Sequence, residues 1–323
     1  MYFPYFPSNQ YELLALKELV NKGLLSKSVI PIIELVRHTS TFDSTIRAFA
    51  ESQNRIAVIL DSMAEDFAIS IDFLDDFIMR ISNIANIEPA LHMSDNTASI
   101  LQMLEKNGID RSSVIVHFNN RDYLESYNSQ FASIFPKYTL FPDESMFRRI
   151  EVQNKVLFMV GFNKQIGYAN KLDDEFFTED HLFYKEEGYS GFGDFSIIGY
   201  EYLRGSRFAQ SPDSIHIVYF DDAKRLRMRH FGSDSDSQRL RPPRNRTHNR
   251  HDIADAASRF IEAAAKLKTW FNNGQQQQLT TALATLLDNA DSGYYPGQPT
   301  IYKLSIMHHL ELIGKYLDGG MSK

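Results

Sequence analysis

Short apolar runs alternate with amphipathic stretches over the first ~160 residues. The runs are VIPIIELV at 29–36, IAVILD at 56–61, IEPALHM at 87–93, SVIVHF at 113–118, YTLFP at 138–142 and VLFMVG at 156–161. Their starts lie 27, 31, 26, 25 and 18 residues apart, the spacing of a strand, a crossover helix and the next strand. The runs are nearly continuous in apolar residues, as strands covered on both faces are. Between them, Asn9 and Glu12 resemble a capping box opening YELLALKELV, and Ser94 is placed to cap a helix that Gly108 ends.

The rhythm loosens after residue 162. Residues 163–192 are polar, acidic and rich in tyrosine, and read as a long loop. FSIIGYEY at 195–202 and SIHIVYF at 214–220 complete eight strands, and RLRMRHF at 225–231 is a further extension, hairpinned to its predecessor. Residues 232–251 are polar and arginine-rich and read as a mobile loop, and three helical stretches close the chain. Eight strand-like runs favour an α/β (β/α)8 TIM-barrel-like single domain with extra C-terminal helices over an open sheet. The barrel is expected over 1–271 and the packed helices over 272–323. There is no GxGxxG and no GxxxxGK[ST], so neither a Rossmann nor a P-loop site is indicated.

Composition narrows the chemistry. The chain has 323 residues, 43% hydrophobic and 23% charged, with a net charge of −7 and no cysteine. Disulfides, thiolate zinc, iron–sulfur clusters and cysteine nucleophiles are excluded. The N-terminus lacks a basic region and a cleavage site, and no apolar run is long enough to span a bilayer. A cytoplasmic protein without membrane attachment is the expectation.

Barrel enzymes carry their chemistry at the C-terminal ends of the strands. Read there, the sequence offers Glu34, Asp61, His92 and His117 on four consecutive strand ends, with Arg37 just beyond the first. Imidazole and carboxylate together suit general acid–base work and admit a divalent metal, although HExxH and HxH are absent. Asp194 lies in GFGDF, where two glycines allow a tight turn or a close approach to ligand. His230 alternates with Arg225, Arg227 and Arg229 and falls on the apolar side with Leu226 and Met228.

Residues 224–250 hold nine Lys/Arg against two Asp, a local charge of +7 in an acidic chain. Arg225, Arg227, Arg229, Arg241 and Arg244 are therefore candidate phosphate ligands, for nucleic acid or a nucleotide. A solvated loop that binds nothing is the plainer alternative. His251–Asp252 lacks the other members of an HD-hydrolase set, and Asp252 reads as a helix cap.

YFPYFPSNQYELLALKEL followed by SVIPIIELV resembles the N-terminal signature of the phage beta-protein family and its bacterial relatives. The matching positions are Tyr5, Pro7, Glu12, Ala15, Leu16, Pro31, Ile32, Ile33 and Glu34. GFGDFSIIGYEY at 191–202 and IHIVYF…LRMRHFGSD…FIEAAAKL resemble later parts of its pattern. The resemblance implies a barrel-like fold that opens on an aromatic-proline strand. It also implies a setting of phages, mobile elements and antiviral systems, with a nuclease-like neighbour as a partner protein. It implies no particular reaction. Two functions follow from residues and resemblance together. One is a hydrolase, phosphodiesterase or nuclease-like, acting on a phosphate-containing substrate at the barrel mouth. The other is a non-catalytic barrel scaffold that binds a partner protein or nucleic acid.

Overall fold

The computed structural model describes residues 1–61, 70–118, 120–150, 152–159, 173–198, 215–233 and 250–320, and the side chains from 256 onward in the last of these. The chain forms two compact units. One comprises Met1–Phe162 with Asp180–Arg204, the other Asn163–Glu179 with Gly205–Lys323. Among the described residues no helix is long and apolar enough to cross a membrane.

The first unit is a closed barrel of eight parallel strands. They are β1 (Tyr2–Pro7), β2 (Ile32–Glu34), β3 (Ile56–Ile59), β4 (Ile87–His92), β5 (Ile115–His117), β6 (Tyr138–Phe141), β7 (Lys155–Phe158) and, after one strand that belongs elsewhere, β9 (Gly191–Asp194). The crossovers carry α1 (Gln10–Asn21), α2 (Ser40–Ala50), α3 (Ile71–Ile81), α4 (Thr97–Lys106), α5 (Leu124–Gln130), α6 (Ser145–Arg148) and α7 (Asp180–Phe183). Side chains alternate across each strand. Phe3, Tyr5, Ile30, Ile32, Ala57, Ile59, Ala90, Ile115, Leu140, Val156, Phe158 and Phe195 fill one continuous buried core. Their neighbours in sequence, such as Tyr2, Phe6, Ile33, Val58, Leu91, Val116 and Phe192, are buried on the opposite face.

The barrel is the expected architecture, but two of its eight strands differ from the expected set. Residues 2–7 form a strand between β2 and β9 despite Pro4 and Pro7. Each proline forgoes one ladder donor, and Ser8 N–H resumes the ladder to the Glu34 carbonyl at 2.8 Å. The closing strand lies four residues before the one expected at 195–202. Residues 196–198 are a turn, and 199–214 lie outside the described residues. The glycines of GFGDF sit within this strand rather than in a turn before it. A Cβ on Gly193 would stand 2.5 Å from the Phe3 carbonyl and 2.8 Å from the Phe158 ring, so the barrel seam closes only around glycine.

The other unit holds a three-stranded antiparallel sheet of order β10–β11–β8. Its strands are β8 (Asp174–Thr178), β10 (Ile215–Phe220) and β11 (Leu226–Phe231). The runs at 214–220 and 225–231 therefore form the expected hairpin but not barrel staves. The expected loop at 163–192 contains β8 and α7. Helices α8 (Arg250–Asn272), α9 (Thr281–Ser292) and α10 (Gln298–Leu317) complete the unit. Trp270 of α8 packs edge-on against Tyr219, and Tyr316 of α10 lies 4.9 Å from Phe220. The apolar residues of α10, from Ile301 to Ile313, are buried.

Two helix starts differ in detail. Asn9 occupies the N-cap of α1 without a side-chain cap bond. Ser94 does not cap α4, which begins after Asn96. Its hydroxyl donates to Asp61 Oδ2 instead, at 2.9 Å.

Candidate active site

His92 and His117 are register partners at the C-terminal ends of β4 and β5, so their side chains leave the same face of adjacent strands. Their Nδ1 atoms lie 3.2 Å apart. Tyr5 reaches across the barrel interior from β1 and places its hydroxyl 3.1 Å from His92 Nε2. The result is a hydrogen-bonded row, Tyr5–His92–His117, in the barrel core. Phe158 meets His117 edge-on at 4.7 Å, and Phe195 meets Tyr5 at 5.2 Å.

The row has two self-consistent proton orders. In one, Tyr5 O–H donates to His92 Nε2, His92 Nδ1–H donates to His117 Nδ1, and His117 carries its proton on Nε2. In the other, His117 Nδ1–H donates to His92 and His92 Nε2–H donates to the Tyr5 oxygen, so His117 Nε2 holds a lone pair. Among the described residues His117 Nε2 has no hydrogen-bond partner. That nitrogen is an acid in one order and a base in the other, with no net charge in either. Burial, and then the neighbouring imidazole, hold His117 well below the ordinary histidine range.

Asp61 positions this pair from below in the chain and does not touch the rings. Its Oδ1 accepts the backbone N–H of His92 at 2.8 Å, and its Oδ2 accepts the Ser94 hydroxyl. Burial raises its carboxyl above the usual range, opposed by His92 and these hydrogen bonds. Glu34 is buried at the end of β2. Arg37, three residues on, is exposed, and its backbone is strapped to β1 through Ser8 Oγ, which accepts from the N–H of Val36 and of Arg37.

The expected group thus assembles in part. Glu34, Asp61, His92 and His117 lie on four neighbouring strand ends, and the two imidazoles make contact. A metal centre does not form from them. Both Asp61 oxygens are occupied by local donors, and among the described residues no three His, Asp or Glu side chains could hold one ion.

Asp194 does not join the mouth. With Gly193 facing inward, Asp194 faces the opposite side of β9, where its Oδ1 accepts the Tyr2 hydroxyl at 2.7 Å and the Ser196 N–H at 2.6 Å. Burial raises its pKa to about 7. His230 belongs to the other unit, on β11, and joins Glu175 and His216 there. Arg225 pairs with Asp221 in the hairpin turn, and Arg227 and Arg229 pair with Asp174. These three guanidiniums are already engaged by carboxylates. Arg241 and Arg244 lie outside the described residues, as does most of the expected basic loop.

Tyr5 is the member of the row that the strand-end reading missed. Two prolines hid its strand, and no strand meant no inward-facing set for Phe3 and Tyr5. The aromatic-proline strand implied by the family resemblance was the available signal.

No family model, curated protein or solved structure matches the chain.

Proposed function

We propose that the barrel mouth is a hydrolase active site that works by acid–base catalysis on a phosphate-containing substrate. The observation that supports this most is the Tyr5–His92–His117 row, in which one imidazole nitrogen exchanges acid and base character by proton shifts along two hydrogen bonds. Hydrolysis needs both characters in sequence. A base removes a proton from the attacking water, and an acid returns one to the leaving oxygen. In this reading His117 Nε2 does both, His92 relays, and Tyr5 exchanges the proton at His92 Nε2. Arg37 supplies the planar cation suited to a phosphoryl group at the rim. Asp61 is a positioning residue, since it holds the His92 backbone.

The test is turnover of chromogenic phosphomonoesters and phosphodiesters, followed by nucleotides and short nucleic acids, by wild type and His117→Gln. Loss of a general acid–base group costs about 10²–10⁴-fold in rate. Equal turnover by the two proteins would end the proposal. Because His117 titrates far below 6.5, wild-type turnover should persist well into the acid range.

A second reading rests on the outer surface. Between α3 and α4 a groove of about 460 Å³ is lined by Ile71, Met79 and Met103 with Asp72, Asp75 and Asp76. Ile71 is 74% and Met79 57% exposed. Such a patch suits a protein partner, as a scaffold in a phage, mobile-element or antiviral system would need. Ile71→Ser with Met79→Ser should then leave turnover intact while abolishing association with a purified nuclease-like neighbour.

A further inference from the structure

We propose that His216 and His230 of the antiparallel sheet bind a divalent transition-metal ion between their Nδ1 atoms, with Glu175 supporting His230 from behind. His216 and His230 stand directly opposite each other in the β10–β11 register. Their Nδ1 atoms face one another at 2.5 Å, with ring planes 75° apart. Glu175, from the next strand, lies 2.5 Å from His230 Nε2.

This carboxylate–imidazole contact is the usual outer support of a metal-bound histidine. A carboxylate on Nε2 keeps the His230 proton there and leaves the Nδ1 lone pair directed at His216. Metal binding takes His216 in the complementary tautomer, with its proton on Nε2 rather than Nδ1. Two lone pairs then converge. Two nitrogens on a tetrahedral ion, each about 2.0–2.1 Å from it, stand about 3.3 Å apart. The rings therefore open by somewhat less than an ångström. Imidazole donors select Zn²⁺, Ni²⁺, Cu²⁺ or Co²⁺ over Mg²⁺ or Ca²⁺. Among the described residues these two imidazoles are the ligands.

The barrel pair shares the facing Nδ1 geometry but not the electrostatics. The distal nitrogen of His92 meets the neutral Tyr5 hydroxyl, and His117 is 3% exposed among aromatic rings. Among the described residues no carboxylate hydrogen-bonds either imidazole there, and the core around them is poorly polarisable. At the sheet site Glu175 supplies a negative charge, and the side chains of His230 and Glu175 are 12% and 27% exposed.

The experiment titrates the full chain, without an affinity tag, with Co²⁺ followed by visible ligand-field absorption, and with Zn²⁺ by calorimetry. One equivalent should bind. Binding should vanish in His216→Ala and His230→Ala, weaken about 10–100-fold in Glu175→Gln, and stay unchanged in His92→Ala. Absence of a saturable equivalent, or its survival in His216→Ala, would overturn the site. Nitrogen-15 spectra of wild-type histidines make the same decision without any variant. Zn²⁺ should move the Nδ1 resonances of two imidazoles only, assigned to 216 and 230. No movement, or movement of any other imidazole, refutes the assignment.

Discussion

Two pairs of buried histidines sit in different units and do opposite things with their nitrogens. On α10, His308 Nε2–H donates to the Val218 carbonyl at 2.7 Å, and His308 Nδ1 accepts the Thr280 hydroxyl at 2.8 Å. Thr280 in turn caps α9 by accepting the Leu283 N–H. A carbonyl can only accept, so one tautomer is fixed. Burial lowers His308 to about 4, and its neighbour His309, edge-on to Phe177, to about 3. In the barrel, His92 and His117 bond to each other and to a hydroxyl, and every partner can give or take a proton. Burial is common to both pairs. What separates the two pairs is whether the partners can change roles, and the proposed function rests on that difference.

Substitution separates the two pairs most sharply. His117→Gln should lower turnover about 10²–10⁴-fold and shift the unfolding free energy by only about 1 kcal/mol. His308→Ala should do the reverse. It removes the partner of the Val218 carbonyl and of the Thr280 O–H donor in the interior, a loss of about 2–4 kcal/mol in urea unfolding, with turnover unchanged. If both variants lose only stability, the barrel pair is structural too.

Acid gives the next largest effect. A histidine whose folded pKa is depressed binds fewer protons folded than unfolded, so its contribution is complete above about 6.5 and is lost as pH falls towards the folded value. For His308 the window runs from 6.5 down to about 4, worth about 3 kcal/mol. His308→Gln, which retains a donor and an acceptor, should flatten the acid limb of the urea midpoint against pH.

Asp194 has the opposite sign. Its folded pKa is raised, so the folded state holds the proton more tightly, and stability falls as pH rises from 3.8 through about 7. Between pH 5 and 8 the Asp194 contribution should fall by about 2–3 kcal/mol, opposing the gain that His308 supplies over the lower part of that range. Asp194→Asn keeps an acceptor for Tyr2 and should abolish that slope. An unchanged slope would mean that the charge is stabilised in some other way.

The smallest effect expected is that of Tyr5→Phe. It removes the end of the row but leaves the two imidazoles. Turnover should fall about tenfold, with stability within about 1 kcal/mol of wild type. A fall as large as that of His117→Gln would make Tyr5 a proton donor in its own right.

The six runs from VIPIIELV to VLFMVG were legible because apolar residues on both faces of a strand leave a local mark. The eighth stave was not, since four residues with two glycines carry almost no pattern. Their meaning lies in the approach of Phe3 and Phe158, distant in sequence. His92, His117 and Asp61 could be placed by counting to strand ends. Asp194 could not, because one residue of register separates the inner face from the outer. Arg227 and Arg229 looked available for phosphate because their counter-charge, Asp174, lies some fifty residues away.

The barrel's last stave follows a strand that belongs to the other sheet. In chain order β7 is succeeded by β8, whose own partner β11 comes after β9. During synthesis the edges of β1 and β7 therefore stand open until Gly191–Asp194 emerges, while β8 waits longer still for Leu226–Phe231. Unpaired edges held open by chain order invite pairing with a neighbouring chain. The seam is thus where a slowed ribosome or a crowded nascent chain would first produce misassembled protein.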